Sequence, residues 1–299
     1  MPSWGEVLRE VQLHTPHDYL RNEYLQGVAA QTNRNILIYY SGWLQKGNLQ
    51  TDFGITDDDK NGFMACCPKK GERAKGLDLI LHTPGGDVAA TESIIDYLHD
   101  LYKGDIRAFI PQLAMSGGTL IATSCKVIVM GRQSSIGPVD PQINGVAAQS
   151  YISEFNKACE QVKRDPSSFP AWQLIIGKLS PGFLITCQNA IDWSNEILST
   201  SLERCMLKGK RDKKEKIKKI LTLLGDQTVS KAHNRHISRE QAKSAGLVIE
   251  DLENDNKLQD LILSLHHLLG ITFEQTSAVK IIANDRGAAY IRQANPLKG

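Results

Sequence analysis

Four short apolar runs, separated by segments with helical periodicity, restrict the folds open to this chain more than any other feature of its sequence. The runs are rich in β-branched residues, which is typical of buried strands. They cover residues 36–40, 77–81, 106–110 and 127–130. Between the second and third runs, Ile94, Leu98 and Leu101 fall on one helical face, and they predict a helix over 88–101. Alternation of strands and helices implies parallel strands joined by right-handed crossovers, and therefore an α/β fold.

The second half of the chain has mostly helical patterns. Amphipathic segments predict long helices at about 184–207 and 255–269. Between them, the segment 238–253 predicts a capped helix, a turn and a short strand. We interpret the chain 1–299 as a single domain with three parts. These parts are a helical N-terminal segment at about 1–33, an α/β core at about 34–150 and a mostly helical part at about 151–299.

Composition excludes several classes of protein. With 41% hydrophobic and 23% charged residues, the chain is neither a disordered protein nor a collagen nor a multi-span membrane protein. Residues 1–6 lack the features of a signal peptide, and six scattered cysteines without a CxxC pair indicate free thiols and a cytoplasmic location. A net charge of +2 gives no reason to expect nucleic acid. The basic run 208–219 contains no aromatic residue, so a solvated helix face is favoured over a nucleic-acid site.

Two glycine motifs follow predicted strands and could carry chemistry. Gly85 and Gly86 come directly after the second run, where backbone N–H groups without a Cβ beside them can bind an oxyanion or form a plain turn. Ser116 and Gly117 begin a predicted helix, so Ser116 could be a nucleophile or an ordinary N-cap. The two motifs lie thirty residues apart, one helix plus one strand. A right-handed crossover would bring both to one edge of the sheet, as an acyl-transfer site requires.

Several blocks of the sequence resemble the ClpP/crotonase superfamily, which includes Clp protease and signal peptide peptidase A. The blocks cover 81–87, 114–119 and 134–138. Further segments are similar to the serine dehydrogenase proteinase family of that superfamily, namely 38–44, 137–142 and 265–281. The resemblance extends over nearly the whole chain. It implies a spiral of ββα units with a helical C-terminal half, a serine peptidase that acts on peptides or proteins without a cofactor, and homo-oligomers.

The resemblance also implies roles for individual residues. Ser116 is the expected nucleophile, and the N–H groups of Gly86 and Gly117 are the expected oxyanion hole. Substrate-binding roles are implied for Gly85, His82 and Asp87, although for His82 a buried structural role is favoured over contact with substrate. The segment that carries the base in Clp protease, here 134–142, contains no histidine. By similarity to signal peptide peptidase A, we predict Lys178 as the base, with Lys157 and Lys163 as alternatives and with a His, an Asp or no base still open.

Other titratable residues have competing interpretations. Asp140 could orient a base or simply form a turn between two prolines, and His233 and His236 lie in a predicted loop. Adjacent His266 and His267 on a helix face apart, so they cannot share a metal. Segment 57–62 matches the start of an EF-hand loop, but Pro68 stands where the bidentate glutamate is expected, which favours a polar turn. We predict no metal site.

The sequence therefore favours an ATP-independent serine endopeptidase, since it contains no G-x-x-x-x-G-K-[ST] motif for ATP. Two alternatives stay open. A catalytically silent module could keep the fold and bind peptides. A crotonase-like enzyme could use the paired amides on acyl-CoA thioesters, although such enzymes need no serine at position 116.

Overall fold

The four apolar runs form neighbouring parallel strands in the middle of a seven-stranded sheet. The computed structural model describes residues 17–49, 51–226 and 232–294. Its strands are β1 (Asn35–Ser41), β2 (Leu77–His82), β3 (Ile106–Ile110), β4 (Leu113–Ala114), β5 (Val127–Met130), β6 (Ser135–Ile136), β7 (Gln142–Ile143), β8 (Val146–Ala147), β9 (Ile237–Ser238), β10 (Ile249–Asp251), β11 (Ala278–Asn284) and β12 (Ala289–Gln293). The large sheet has the order β10-β5-β3-β2-β1-β11-β12, which confirms the predicted α/β fold.

Helices pack on both faces of this sheet. They are α1 (His17–Thr32), α2 (Trp43–Lys46), α3 (Asp59–Cys66), α4 (Val88–Tyr102), α5 (Gly117–Thr123), α6 (Ala148–Arg164), α7 (Phe169–Ile176), α8 (Phe183–Arg204), α9 (Lys213–Gly225), α10 (Arg239–Ala245) and α11 (Asn256–Gln275). Short 3-10 helices lie at Lys70–Lys75, Pro166–Ser168 and Leu252–Asn254. Helix α1 lies within the predicted N-terminal segment, whose residues 1–16 lie outside the described part. No described helix is long and apolar enough to cross a bilayer.

The side chains of the central strands alternate between two apolar layers. Leu37, Leu79 and Leu81 pack with α4 on one face of the sheet. Ile36, Ile38 and Ile80 pack with α1 and α11 on the other face. Strands buried on both faces explain why the sequence shows continuous apolar runs rather than an alternating pattern.

The C-terminal part contains more strand than its sequence pattern predicts. Strands β11 and β12 continue the sheet beyond β1, with Ile38 opposite Ala283 in the antiparallel β1–β11 pair. The predicted helical C-terminal half is present, and β11 and β12 are strands that its sequence pattern did not indicate. Strand β11 carries Lys280 as its third residue, and this buried lysine breaks the apolar run that would have marked a strand.

A small sheet with the order β4-β6-β9 organises the edge where the predicted motifs lie. Leu113 and Ala114 pair in parallel with Ser135 and Ile136. The same two residues of β6 pair in antiparallel fashion with Ser238 and Ile237. This pairing brings the distant segment before residue 237 to the carboxyl end of β2 and β4.

Candidate active site

Ser116 occupies a strained turn between β4 and α5. Its backbone has φ +48° and ψ −116°, a conformation that costs a non-glycine residue about 1–3 kcal/mol. Thr119 holds the turn from within, because its Oγ1 lies within hydrogen-bond distance of the carbonyl oxygens of Ala114 (2.8 Å) and Gly137 (2.9 Å) and donates its one hydrogen between them. The N–H of Gly118 also donates to the carbonyl of Met115 at 2.8 Å. A strained residue fixed by its surroundings at the mouth of a cleft is typical of a functional position.

The backbone amides of Gly86 and Gly117 converge beside Ser116. Ile55 pairs with one edge of the glycine segment, since its N–H donates to Gly85 O at 2.7 Å and its carbonyl accepts from Asp87 N at 2.9 Å. Peptide groups alternate along an extended segment, so the N–H of Gly86 faces the opposite edge, toward α5. Among the described residues, neither the Gly86 nor the Gly117 N–H has an acceptor. Two such donors can stabilise an oxyanion.

Only glycine fits the positions that line this approach. A Cβ on Gly85, where φ is +93°, would lie 2.5 Å from the Cβ of Ser116. A Cβ on Gly86, where φ is +157°, would lie 2.1 Å from the backbone nitrogen of Ile55. A Cβ on Gly117 would lie 3.5 Å from the nitrogen of Gly86, which shows how close the two amides are. The predicted grouping of Gly85, Gly86, Ser116 and Gly117 is therefore present in the structure.

Ser116 and Gly86 open onto a cleft of about 420 Å³. Its lining combines apolar side chains with a few polar groups from both halves of the chain. The lining residues are Pro84, Gly86, Asp87, Val88, Ser116, Leu120, Val139, Pro141, Gln142, Ile143, Ala190, Trp193, Ser194 and His233. A largely apolar cleft with convergent polar groups is the usual form of a binding site. Asp87 lies at its edge and also caps α4 by accepting from the N–H of Ala90 at 2.8 Å.

An aspartate–histidine pair lies at this cleft, and sequence reasoning did not assign it a catalytic role. Nδ1 of His233 is 2.9 Å from Oδ1 of Asp140. The Asp140 side chain is only 2% exposed, and its Oδ2 accepts from Nε2 of Gln142 at 2.9 Å. With Nδ1 donating to this carboxylate, Nε2 of His233 carries a lone pair that can accept a proton. The pair can therefore act as an oriented general base.

The segment carrying Asp140 is held from two helices. Oγ of Ser194 in α8 donates to the carbonyl of Val139 at 2.8 Å. The N–H of Val139 donates to the carbonyl of Leu224 in α9, also at 2.8 Å. These bonds fix the backbone next to Asp140, so the carboxylate presents a defined direction to His233.

The structure does not bring the three candidate lysines to the cleft. Lys178 is exposed in the turn after α7, and Lys157 and Lys163 are exposed on α6. None of these three described side chains lines the cleft. Lys163 instead borders a separate apolar groove between α6 and α7. All three lysines therefore lie apart from the cleft onto which Ser116 opens.

His82 lies beneath the site rather than in the cleft lining. Side chains alternate along β2, so His82 shares the face of Ile80 and points toward α11. Its ring centroid lies 4.3 Å from that of Trp43 and 5.2 Å from those of Tyr40 and His266. Burial lowers the pKa of His82 well below its ordinary value. The structure thus places His82 in the packed core, which is the structural interpretation that the sequence left open.

The remaining candidates concern metal binding and the cysteines. Within the described ranges 17–49, 51–226 and 232–294, no group of three His, Cys, Asp or Glu side chains is placed to hold a metal ion. The EF-hand-like segment runs into α3, and Asp59 in it forms a buried ion pair with Lys280. All six cysteines are free thiols.

Comparison with known proteins identifies a family and two relatives. A family model described as ClpP-like SDH-type serine proteinase matches residues 55–263. The chain is also similar to two uncharacterized proteins of Methanocaldococcus jannaschii. One is 34% identical over 178 residues, which are 59% of this chain and 54% of that protein. The other is 42% identical over 86 residues, 29% of each chain. The match thus spans about half the length of the first relative and less than a third of the length of the second.

Proposed function

The chain belongs to the family of ClpP-like SDH-type serine proteinases, and on this premise we propose that it hydrolyses peptide bonds with Ser116 as the nucleophile. The N–H groups of Gly86 and Gly117 would hold the oxyanion. His233, oriented by Asp140, would be the general base. The observation that carries this assignment is the 2.9 Å Asp140–His233 pair at the cleft that Ser116 lines.

The proposed reaction follows the acyl-enzyme route. Oγ of Ser116 attacks the scissile carbonyl carbon while Nε2 of His233 takes its proton. Charge develops on the carbonyl oxygen, where the two glycine amides donate to it, and loss of one such donor typically costs about 2.7–4 kcal/mol in the barrier. His233 then protonates the leaving amine, and a water molecule activated by the same histidine hydrolyses the ester. The proposed steps need Ser116, His233, the two glycine amides and one water molecule.

The choice of His233 over Lys178 rests on position and environment. His233 lines the cleft and has a buried carboxylate partner. Lys178 is exposed outside the cleft lining, so its proposed role as the base would require a rearrangement of the α6–α8 segment. Both assignments can be tested in one series of variants.

Labelling by a fluorophosphonate probe, followed by intact mass, tests the proposal. We expect wild type to gain one adduct and Ser116→Ala to gain none. His233→Ala should slow labelling about 10²–10⁴-fold, the usual contribution of a general base. Lys178→Ala is the matched control and should label within twofold of wild type.

Two outcomes would contradict the assignment. Slow labelling of Lys178→Ala with normal labelling of His233→Ala would return the base to the lysine. An unlabelled wild type would contradict the peptidase itself and favour the silent peptide-binding module. The acyl-CoA alternative stays a prediction that saturable binding of coenzyme A would support.

We further propose that the chain forms homo-oligomers through the segment around α7. Every residue of this fully described helix is at least partly exposed, and Leu174 is 75% exposed. Phe169 and Ile175 on the same helix are also exposed, and exposed apolar side chains of this kind would be covered in an assembly. Light scattering should show a lower mass for Leu174→Lys than for wild type. The control Leu49→Lys changes another exposed leucine and should leave the mass unchanged; an unchanged mass for both would contradict this interface.

A further inference from the structure

A buried ion pair lies behind the oxyanion amides, and the proposed chemistry does not use it. Nζ of Lys280 in β11 is 2.9 Å from each carboxylate oxygen of Asp59. The two side chains are 2% and 1% exposed. Taking two charges out of water is costly, and apolar residues of similar volume are often at least as stabilising. A stabilising role therefore does not explain why this pair is present. The groups that its charges bind suggest another role.

The pair binds the backbone on both sides of Ile55. Nζ of Lys280 donates to the carbonyl of Gly54 at 2.6 Å. Oδ2 of Asp59 accepts from the N–H of Thr56 at 2.9 Å. The hydroxyl of Tyr39 donates to the same carboxylate oxygen at 2.8 Å and ties it to strand β1. One donor and one acceptor thus fix the two peptide groups that flank Ile55.

Ile55 in turn contacts both oxyanion glycines. It bonds to the carbonyl of Gly85 and the N–H of Asp87, so it holds Gly86 from both sides. The space beside Gly86 is filled by the backbone of Ile55, and the Cδ1 of Ile55 lies 3.1 Å from where a Gly117 Cβ would stand. A shift of Ile55 would therefore move or reorient both amide donors.

We propose that Lys280 and Asp59 are positioning residues, whose ion pair sets Ile55 and thereby the oxyanion hole of Gly86 and Gly117. The inference rests on the proposed peptidase function. An apolar pair could fill the same volume, but it could neither donate to Gly54 nor accept from Thr56. The charges supply both bonds at once, from strand β11 on one side and from helix α3 on the other.

The test compares two double variants by their rate of fluorophosphonate labelling. Asp59→Asn with Lys280→Met removes both charges of the pair while keeping similar volumes. The control, Asp78→Asn with Arg107→Met, removes the charges of another ion pair, whose fully buried aspartate is also paired with Arg34. That pair lies near the amino ends of β2 and β3, opposite the cleft. Tm is measured for both variants.

We expect the Asp59/Lys280 variant to label about 100-fold more slowly than wild type, the usual cost of a displacement of about 1 Å in a catalytic group. The pH at half-maximal rate should stay that of wild type, because His233 does not contact this pair. The control should label within twofold of wild type at a comparable loss of Tm.

Each other outcome would overturn the inference. A wild-type rate in the Asp59/Lys280 variant would remove the positioning role and leave the proposed peptidase intact. Equal losses in both variants would indicate general destabilisation, and a shifted pH profile would place the effect on the base. An unlabelled wild type would remove the proposed function and the inference together.

Tyr39→Phe provides a second test if the double variant does not fold. It deletes only the hydroxyl that binds Asp59 and keeps the ring stacked on Phe63, whose centroid is 5.7 Å away. We expect labelling to slow about fivefold, a smaller loss than the hundredfold effect of misplacing the whole group. An unchanged rate in this variant would also overturn the inference.

Discussion

Replacing Asp140 by asparagine tests the proposed base most directly. The carboxylate accepts from Nδ1 of His233 and from Nε2 of Gln142, each at 2.9 Å. An asparagine of the same shape has one acceptor oxygen, so its NH2 group must face one of the two donors. The side chain is buried, and water cannot easily replace the lost bond.

The size of the effect follows from the type of bond. A hydrogen bond to a charged group contributes about 1.5–3 kcal/mol. If it stabilises the imidazolium that forms as Ser116 attacks, its loss lowers the rate by about 10- to 150-fold, since each 1.36 kcal/mol is a factor of ten. We expect fluorophosphonate labelling of Asp140→Asn to slow by that factor, with Ser116 still the modified residue in the mass spectrum.

The matched control is Gln142→Ala, which removes the other donor to Asp140 and keeps both oxygens of its side chain. Its labelling rate should stay within threefold of wild type. A wild-type rate in Asp140→Asn, with Tm showing that the variant is folded, would refute the reasoning. The Asp140–His233 pair would then be a structural contact, and the base would have to be sought elsewhere.

Two further predictions concern Gly86 and the buried histidines His82 and His266. Gly86→Ala should slow labelling at least about 100-fold, because its Cβ would lie 2.1 Å from the backbone nitrogen of Ile55. In the control Gly71→Ala, the added Cβ meets nothing within 4 Å, so this variant should label at the wild-type rate. Equal labelling rates for the two variants would refute the close approach of Ile55 to Gly86. Burial lowers the pKa of His266 to about 4 and the pKa of His82 well below its ordinary value, so the unfolded chain, with histidine pKa near 6.5, binds protons first as pH falls. The free energy of unfolding should therefore decline below about pH 6.5, by about 2 kcal/mol from His266 alone at pH 5. Urea unfolding should show a flatter pH dependence of this free energy for His266→Gln than for wild type. An unchanged pH dependence would contradict the prediction.

The part of the site that sequence reasoning predicted depends on local rules. Gly86 and Ser116 each follow a strand, and one right-handed crossover relates the two strand ends. Glycine requirements and chain direction are properties of a few consecutive residues. They predict that Gly86, Ser116 and Gly117 lie at the same edge of the sheet without knowledge of the rest of the molecule.

The proposed base could not be assigned in this way. Asp140 and His233 are 93 residues apart, and neither has a local pattern that points to the other. The antiparallel pairing of Ser135 and Ile136 with Ser238 and Ile237 brings the two segments together. Strands of two residues leave almost no periodicity in a sequence. The resemblance to lysine-dependent relatives therefore directed attention to Lys178, which the fold leaves exposed.

The alternation of apolar runs and helices was sufficient to determine the α/β core, because strands buried on both faces and right-handed crossovers leave few other arrangements. The glycines and Ser116 were recognisable for a similar reason, since their backbone geometry is a local requirement. Tertiary contacts alone decided the partner of His233, the core position of His82 and the pairing of Lys280 with Asp59. A charge or an imidazole takes its role from the groups packed around it, and those groups come from segments that the order of residues does not connect.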